Sequence, residues 1–224
     1  MIAPLDPEMA LFRAITAEEE AATALILALQ QKRYPGASNL KHKSHPHKAG
    51  LTPFLRVIER FLAEVKFPAP QVILKSDGQV PRIDISLPAP GGLVAVPDEP
   101  LNGITHKEGD GGPTVLDFGE QAQRYAAEQG VADMLTVIHD EANFRNRLLY
   151  ATDEGIPVAD NVDPALIARG RPVFILLSLT MIILQTPKHQ LFAVQVLQSY
   201  LQALKAIPEG AFDYEAALAK ARRP

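Results

Sequence analysis

Thr16-Ala17-Glu18-Glu19-Glu20-Ala21-Ala22-Thr23-Ala24-Leu25-Ile26-Leu27-Ala28-Leu29-Gln30-Gln31-Lys32-Arg33 is the stretch that decides the fold class. Thr16 and Glu19 have the spacing of a capping box, which predicts a helix opening at Thr16 and running to about Arg33. Ala21, Ala22, Leu25, Ile26, Leu27 and Leu29 wrap most of its circumference, so the helix is expected to be buried on several sides. Glu18, Glu19 and Glu20 then fall in its first turn, where the positive end of the helix dipole favours carboxylates. Three consecutive residues sweep about 200° of a helix, so at least one of them shares a face with Ala22, Leu25 or Ile26. A carboxylate turned into a bundle needs a partner. Arg145 is the candidate, because it falls in register with Leu135, Ile138, Ala142 and Leu149 in a later helix.

Outward from this stretch the pattern stays helical. Thr52-Pro53 reads as an N-cap and N1 pair, followed by the apolar stripe Phe54, Leu55, Ile58, Leu62 and Val65. This helix and the first should pair as an antiparallel hairpin. Asp117 and Glu120 repeat the capping-box spacing before a helix that ends near Gly130, and another helix is predicted from about Val131 to Tyr150. Asp163-Pro164 and Thr186-Pro187 are two further starts, and a short helix from Asp213 closes the chain. The longest apolar run, Val173 to Leu184, is bounded by Pro172 and Pro187. At about 1.5 Å per residue it falls short of the roughly 30 Å hydrocarbon core of a bilayer, so a buried central helix is expected and no membrane partner.

Between Pro68 and Pro113 the composition changes, with eight Pro and seven Gly that no long helix can survive. Inside this insert, Gln71 to Lys75 and Arg82 to Leu87 flank Asp77-Gly78, the signature of a β-hairpin, and Leu93 to Val96 can add a third strand. The expected fold is therefore all-α: a single domain over residues 1–224, a bundle of about six helices with a small β-hairpin insert around residues 71–96.

Composition narrows the chemistry. The 224 residues are 47% hydrophobic and 21% charged with a formal net charge of -4, which excludes a disordered or wholly basic chain. Zero Cys excludes disulfides, thiolate metal sites and a cysteine nucleophile, and 6% aromatic residues without Trp predict an aliphatic core. Met1 to Ala10 carries no secretory pattern, so a cytoplasmic address is expected.

One charge anomaly stands out. Lys32, Arg33, Lys41, Lys43 and Lys48 occur without an acid in the loop after the first helix, leaving seventeen basic against twenty-six acidic residues elsewhere. A positive loop on a negative body selects a phosphate-bearing partner, RNA foremost, or an acidic protein. The alternative is a solvated loop that maintains solubility. His42, His45 and His47 lie in the same loop and could complete a metal site with a helical carboxylate, although Pro46 and the short gaps argue against it, and no cofactor is expected. His139 beside Asp140 and Glu141 is no dyad, because adjacent helical residues point apart. Phosphate-binding, dinucleotide, zincin and nucleophile-elbow motifs are absent.

Ala17-Glu18-Glu19-Glu20-Ala21, the loop from Lys41 to Lys48, and Phe144-Arg145-Asn146-Arg147-Leu148-Leu149-Tyr150 together resemble the HEPN-like helical proteins, and among them the AbiV-type abortive infection family. The resemblance covers the first 66 residues and residues 116–155. It implies a helical bundle, often homodimeric, that works near RNA in phage defence or stress response. The family's ribonuclease signature places a His four to six residues beyond an Arg and a polar residue. Arg145-Asn146 begins that signature, and no His follows; the family's Lys after the glutamates is replaced by Thr23 and Ala24. The expectation is a binding protein without catalytic residues, contacting its partner through Arg33, Lys41, Lys43, His45, Lys48, Arg145 and Asn146. Glu18, Glu19, Glu20 and Tyr150 are the expected buried polar groups. The rival expectations are a metal- or His-dependent phosphodiesterase or ribonuclease, and a structural dimer with the Val173 to Leu184 helix in its core.

Overall fold

The chain is mainly helical, with one small three-stranded antiparallel sheet set into it. The computed structural model describes residues 7–76, 81–88, 93–102, 118–149 and 162–208. Helix α1 spans Pro7–Gln31, α2 is a short helix at His45–Ala49, and α3 spans Leu51–Glu64. Strands β1 (Gln71–Lys75), β2 (Arg82–Pro88) and β3 (Val94–Ala95) follow, then α4 (Gly119–Glu128), α5 (Met134–Leu149), α6 (Val162–Gln185) and α7 (Leu191–Ala203).

The hairpin forms where the alternation placed it. β1 pairs with β2 from Gln71↔Ser86 to Lys75↔Arg82, and β3 pairs with the end of β2 at Leu87↔Ala95. The Asp77-Gly78 turn lies outside the described residues. Ile83 and Ile85 pack against the helical core, and the Gln185 amide at the end of α6 grips both the N–H and the C=O of Ile83.

Several helix boundaries differ from the sequence pattern, each for a local reason. α1 begins at Pro7, so Thr16 is interior and its hydroxyl donates to Phe12 O at 2.9 Å instead of capping. Glu18, Glu19 and Glu20 therefore lie in mid-helix, away from the dipole end. Thr52 is likewise inside α3, whose preceding residue is Gly50, and its hydroxyl serves Glu18. Thr186 terminates α6, donating to Ile182 O, and α7 starts only at Leu191. α5 opens at Met134 because Asp133 accepts the Thr136 N–H at 2.9 Å, an N-cap bond. Asp117 and the helix from Asp213 lie outside the described residues.

Pro172 does not bound the apolar helix. It sits buried inside α6, which starts ten residues earlier. Lacking an N–H, Pro172 cannot serve the Ala168 carbonyl, a loss that burial of the surrounding turns offsets. Nor does α1 pair chiefly with α3. Its main neighbour is α6, and the two run in the same direction, since Glu18 meets Arg169 and Lys32 Nζ donates to Thr186 O at 3.0 Å.

Leu25, Ile26, Leu29, Val57, Leu176, Ile183 and Leu201 form the aliphatic part of the core. The few aromatic residues are not marginal to it: Phe54 and Tyr200 meet at 5.1 Å, and Phe118 stands edge-on to Phe61 at 5.1 Å and to Phe192 at 6.0 Å. The core is thus mainly aliphatic, with these aromatic contacts set into it. α6 is long and apolar enough to cross a membrane by length and composition, with 33% of its most apolar window buried. It is thus central on one side only, with Ile167, Phe174, Leu177 and Leu184 exposed on the other.

Candidate functional site

Adjacent residues on a helix diverge by about 100°, and α1 uses this to aim two buried carboxylates at different neighbours. Glu19 faces α2. Its carboxylate accepts from Lys48 Nζ at 3.0 Å, and His45 Nδ1 lies 3.1 and 3.2 Å from its two oxygens. Glu18 faces α3, α5 and α6. It accepts from Thr52 Oγ1 at 3.4 Å and pairs with Arg169, whose other nitrogen reaches Glu141 at 2.9 Å. The Arg169 guanidinium also lies over the Phe144 ring at 5.3 Å. Glu20 points to solvent.

Burial pushes the Glu18 carboxyl above its ordinary value, against the pull of Arg169. At Arg169 burial acts the other way, yet Glu141 and Glu18 together hold its pKa above the ordinary value. The two shifts rank burial and attraction in opposite order, because Arg169 is shared between two carboxylates while Glu18 has one cation. We take the cluster as ionic, with Glu18 as its costlier member.

Above this cluster lies the cationic segment, residues 32–48, fastened to the bundle along its length. Gln30 Nε2 donates to Ala37 O and Leu40 O, Gln198 Nε2 donates to Pro35 O at 2.7 Å, and Tyr34 OH accepts the Gln190 N–H at 3.1 Å. Tyr34, Ala37 and Leu40 are buried. Gly36 adopts φ 85°, and a Cβ there would stand 2.8 Å from Gln198 Nε2 and 2.9 Å from Leu201 Cδ1. At Gly50 a Cβ would meet Tyr200 OH at 2.7 Å. That hydroxyl donates to His47 O at 2.9 Å, and burial pushes its pKa well above the ordinary range, so it stays protonated.

His47 holds the other end. Its Nδ1 accepts the Lys41 N–H at 3.1 Å, which requires an unprotonated nitrogen, and burial, then Lys41, lowers its pKa below the ordinary 6.5. His45 differs: Nδ1 faces Glu19, half of its side chain is exposed, and Nε2 is left to whatever binds there.

The five cations divide into two groups. Lys32 serves the carboxyl end of α6, and Lys48, with 11% of its side chain exposed, serves Glu19. Arg33, Lys41 and Lys43 are exposed, and none of the three forms an ion pair with a described residue. His42 is half-buried, and Asn146 is exposed on α5; the side chain of Arg145 and all of Tyr150 lie outside the described residues. Among the described residues no three His, Asp or Glu gather into a metal-binding group, and the Nδ1 atoms of His45 and His47 are engaged as stated.

Arg169 is the functional-cluster residue that sequence reasoning missed. Val162, Arg169, Leu176 and Ile183 recur every seven residues along α6, and the three apolar ones are buried. Carrying the helix through Pro172 would have placed Arg169 on that stripe. No family model, curated protein or solved structure matches the chain.

Proposed function

We propose that this protein binds single-stranded RNA, without cleaving it, through the cationic face of residues 33–48. The observation that supports this most is the division of charge: Lys32 and Lys48 fasten the segment while Arg33, Lys41 and Lys43 remain exposed on a fixed backbone. A pre-ordered cationic surface loses little entropy on binding, and each phosphate it neutralises releases counterions. His45, half-exposed beside it, adds a donor through Nε2. The resemblance to HEPN-like proteins of the AbiV type agrees with an RNA partner, and the missing His after Arg145-Asn146 agrees with binding alone. A cytoplasmic homodimer acting in phage defence or stress response is the setting this reading favours.

A titration of labelled single-stranded RNA with the wild type and an Arg33→Ala/Lys41→Ala/Lys43→Ala variant tests the reading. Affinity lost in the variant with the melting temperature retained supports it; equal binding by both refutes it. Binding of an acidic protein but no RNA would transfer the surface to that partner.

One observation favours a second reading. The Glu19 carboxylate orients His45 as an acid orients a catalytic imidazole, leaving Nε2 for proton transfer. RNA shortened by the wild type and left intact by His45→Ala would establish a phosphodiesterase.

A further inference from the structure

The outer edge of β1 and the side of β2 away from it are treated differently, and the difference identifies an interaction surface. In an antiparallel sheet the N–H and C=O of one residue point to the same side, alternating along the strand. Both groups of Ile83 are taken by Gln185 of α6, so they point away from β1. Leu87, four residues further along and of the same parity, faces β3. The Leu74↔Ile83 and Val72↔Ile85 pairs are therefore the non-hydrogen-bonded ones, and Gln71, Ile73 and Lys75 bond to β2. It follows that Val72 and Leu74 direct their N–H and C=O groups outward, along an edge that no described strand covers.

The other edge of β2 is closed twice, by Gln185 and by β3. Among the described residues the β1 edge has only end guards. Pro70 has no N–H and stops pairing on one side. Lys75 would ordinarily guard the other, but its ammonium is drawn back onto its own sheet by Asp84. Between these lies Val72-Ile73-Leu74, with Leu74 69% and Ile73 36% exposed.

We propose that this edge pairs with β1 of a second copy of the chain, antiparallel about a two-fold axis at Ile73. In that register Val72 faces Leu74 of the partner and Leu74 faces Val72 of the partner, so every outward group of Val72 and Leu74 meets a complement and the sheet becomes six-stranded. Side chains agree with the hydrogen bonds: Val72 and Leu74 lie on one face as apolar cross-strand pairs, and Ile73 meets its own symmetry mate on the other. Lys75 stands opposite Gln71, so no like charges face each other. An unrelated extended peptide could use the same hydrogen bonds, but this self-match in parity, apolarity and charge favours a second copy.

Crosslinking and mass measurement test the register. The chain has no Cys, so Ile73→Cys carries a single thiol. Non-hydrogen-bonded partners lie about 4.5 Å apart at Cα, inside the disulfide range of about 4.4 to 6.8 Å. Ile73→Cys should form a covalent dimer under mild oxidation, whereas Lys75→Cys, with its symmetry mate about 13 Å away, should not. Light scattering across about 1 to 100 μM should show the wild type moving from monomer to dimer. Leu74→Pro should keep it monomeric with its circular dichroism unchanged, because the N–H removed serves no bond within the monomer. Should that variant misfold, Leu74→Lys replaces it, blocking the edge by charge. A wild type monomeric throughout, faster crosslinking at position 75 than at 73, or a dimer that survives both Leu74 variants and therefore uses another surface, such as the exposed side of α6, would each overturn the proposal.

Discussion

Arg169 closes an ion pair with Glu18 across 151 residues of chain while also holding Glu141, so one guanidinium ties α1, α5 and α6 together. Removing it leaves a buried carboxylate whose remaining partner among the described residues is Thr52. Arg169→Ala should destabilise the fold by about 3 to 5 kcal/mol in urea unfolding, and adding Glu18→Leu should recover much of the loss. The Glu18 carboxyl is raised in the folded protein, so it binds more protons folded than unfolded just above the ordinary 4.5, and stability falls as pH rises through that region. The fall should be steeper in Arg169→Ala and absent in the double variant.

His47 has the opposite sign. Its folded pKa is lowered, so the unfolded chain binds more protons at and below the ordinary value of 6.5. The stability it confers is complete above pH 6.5 and is lost as pH falls toward the folded value. Protonation removes the acceptor for the Lys41 N–H, so amide exchange at Lys41 should quicken on acidification. His47→Asn, whose Oδ1 can occupy the Nδ1 position without titrating there, should flatten that response.

Gly36, within the cationic segment, and Gly50, just past its end, both lie tightly against α7. Gly36→Ala combines a left-handed backbone with contacts of 2.8 and 2.9 Å, and a loss of about 1 to 3 kcal/mol is expected. Gly50→Ala must displace Tyr200 OH and should release the His47 carbonyl. Thermal unfolding of both, compared with Gly130→Ala, where φ is 75° and the space is open, separates crowding from backbone strain.

Much of this architecture is readable from residue patterns. The strands at Gln71–Lys75 and Arg82–Pro88 follow from period-two alternation around a turn signal, and the stripe of α3 from its apolar spacing. Helix ends are less legible, because Thr16 and Thr186 look like caps yet spend their hydroxyls on carbonyls four residues back. Proline misled at Pro172, where burial outweighs the missing hydrogen bond. The acid cluster was half visible: a buried carboxylate demands a cation, but which one depends on the packing of α1 against α6, a relationship between distant segments. Likewise, five loop cations look equivalent in sequence, and only the fold shows that Lys32 and Lys48 turn inward.

Asp133 caps α5 through Thr136 and meets Lys205, which together hold its pKa at about 2. Its side chain is 42% exposed, so solvent screening reduces what the ion pair contributes and the cap dominates. Asp133→Ala should cost about 1 kcal/mol at neutral pH. A lowered carboxyl confers stability above the ordinary 3.8 that is lost as pH falls toward 2, so wild type and variant should converge in that window when their urea midpoints are compared.

The salt dependence of RNA binding tests the central claim most directly. Three cations that each neutralise one phosphate predict a slope of log affinity against log salt of about -2 for a single strand, roughly a 20-fold loss between about 50 and 200 mM. Replacing Arg33, Lys41 and Lys43 with Ala should bring the slope near zero without lowering the melting temperature, whereas Lys48→Ala should lower the melting temperature and leave the slope unchanged where the protein stays folded. A wild-type slope near zero, or a slope that survives the triple replacement, would contradict the claim that this exposed cationic face is the RNA-binding surface.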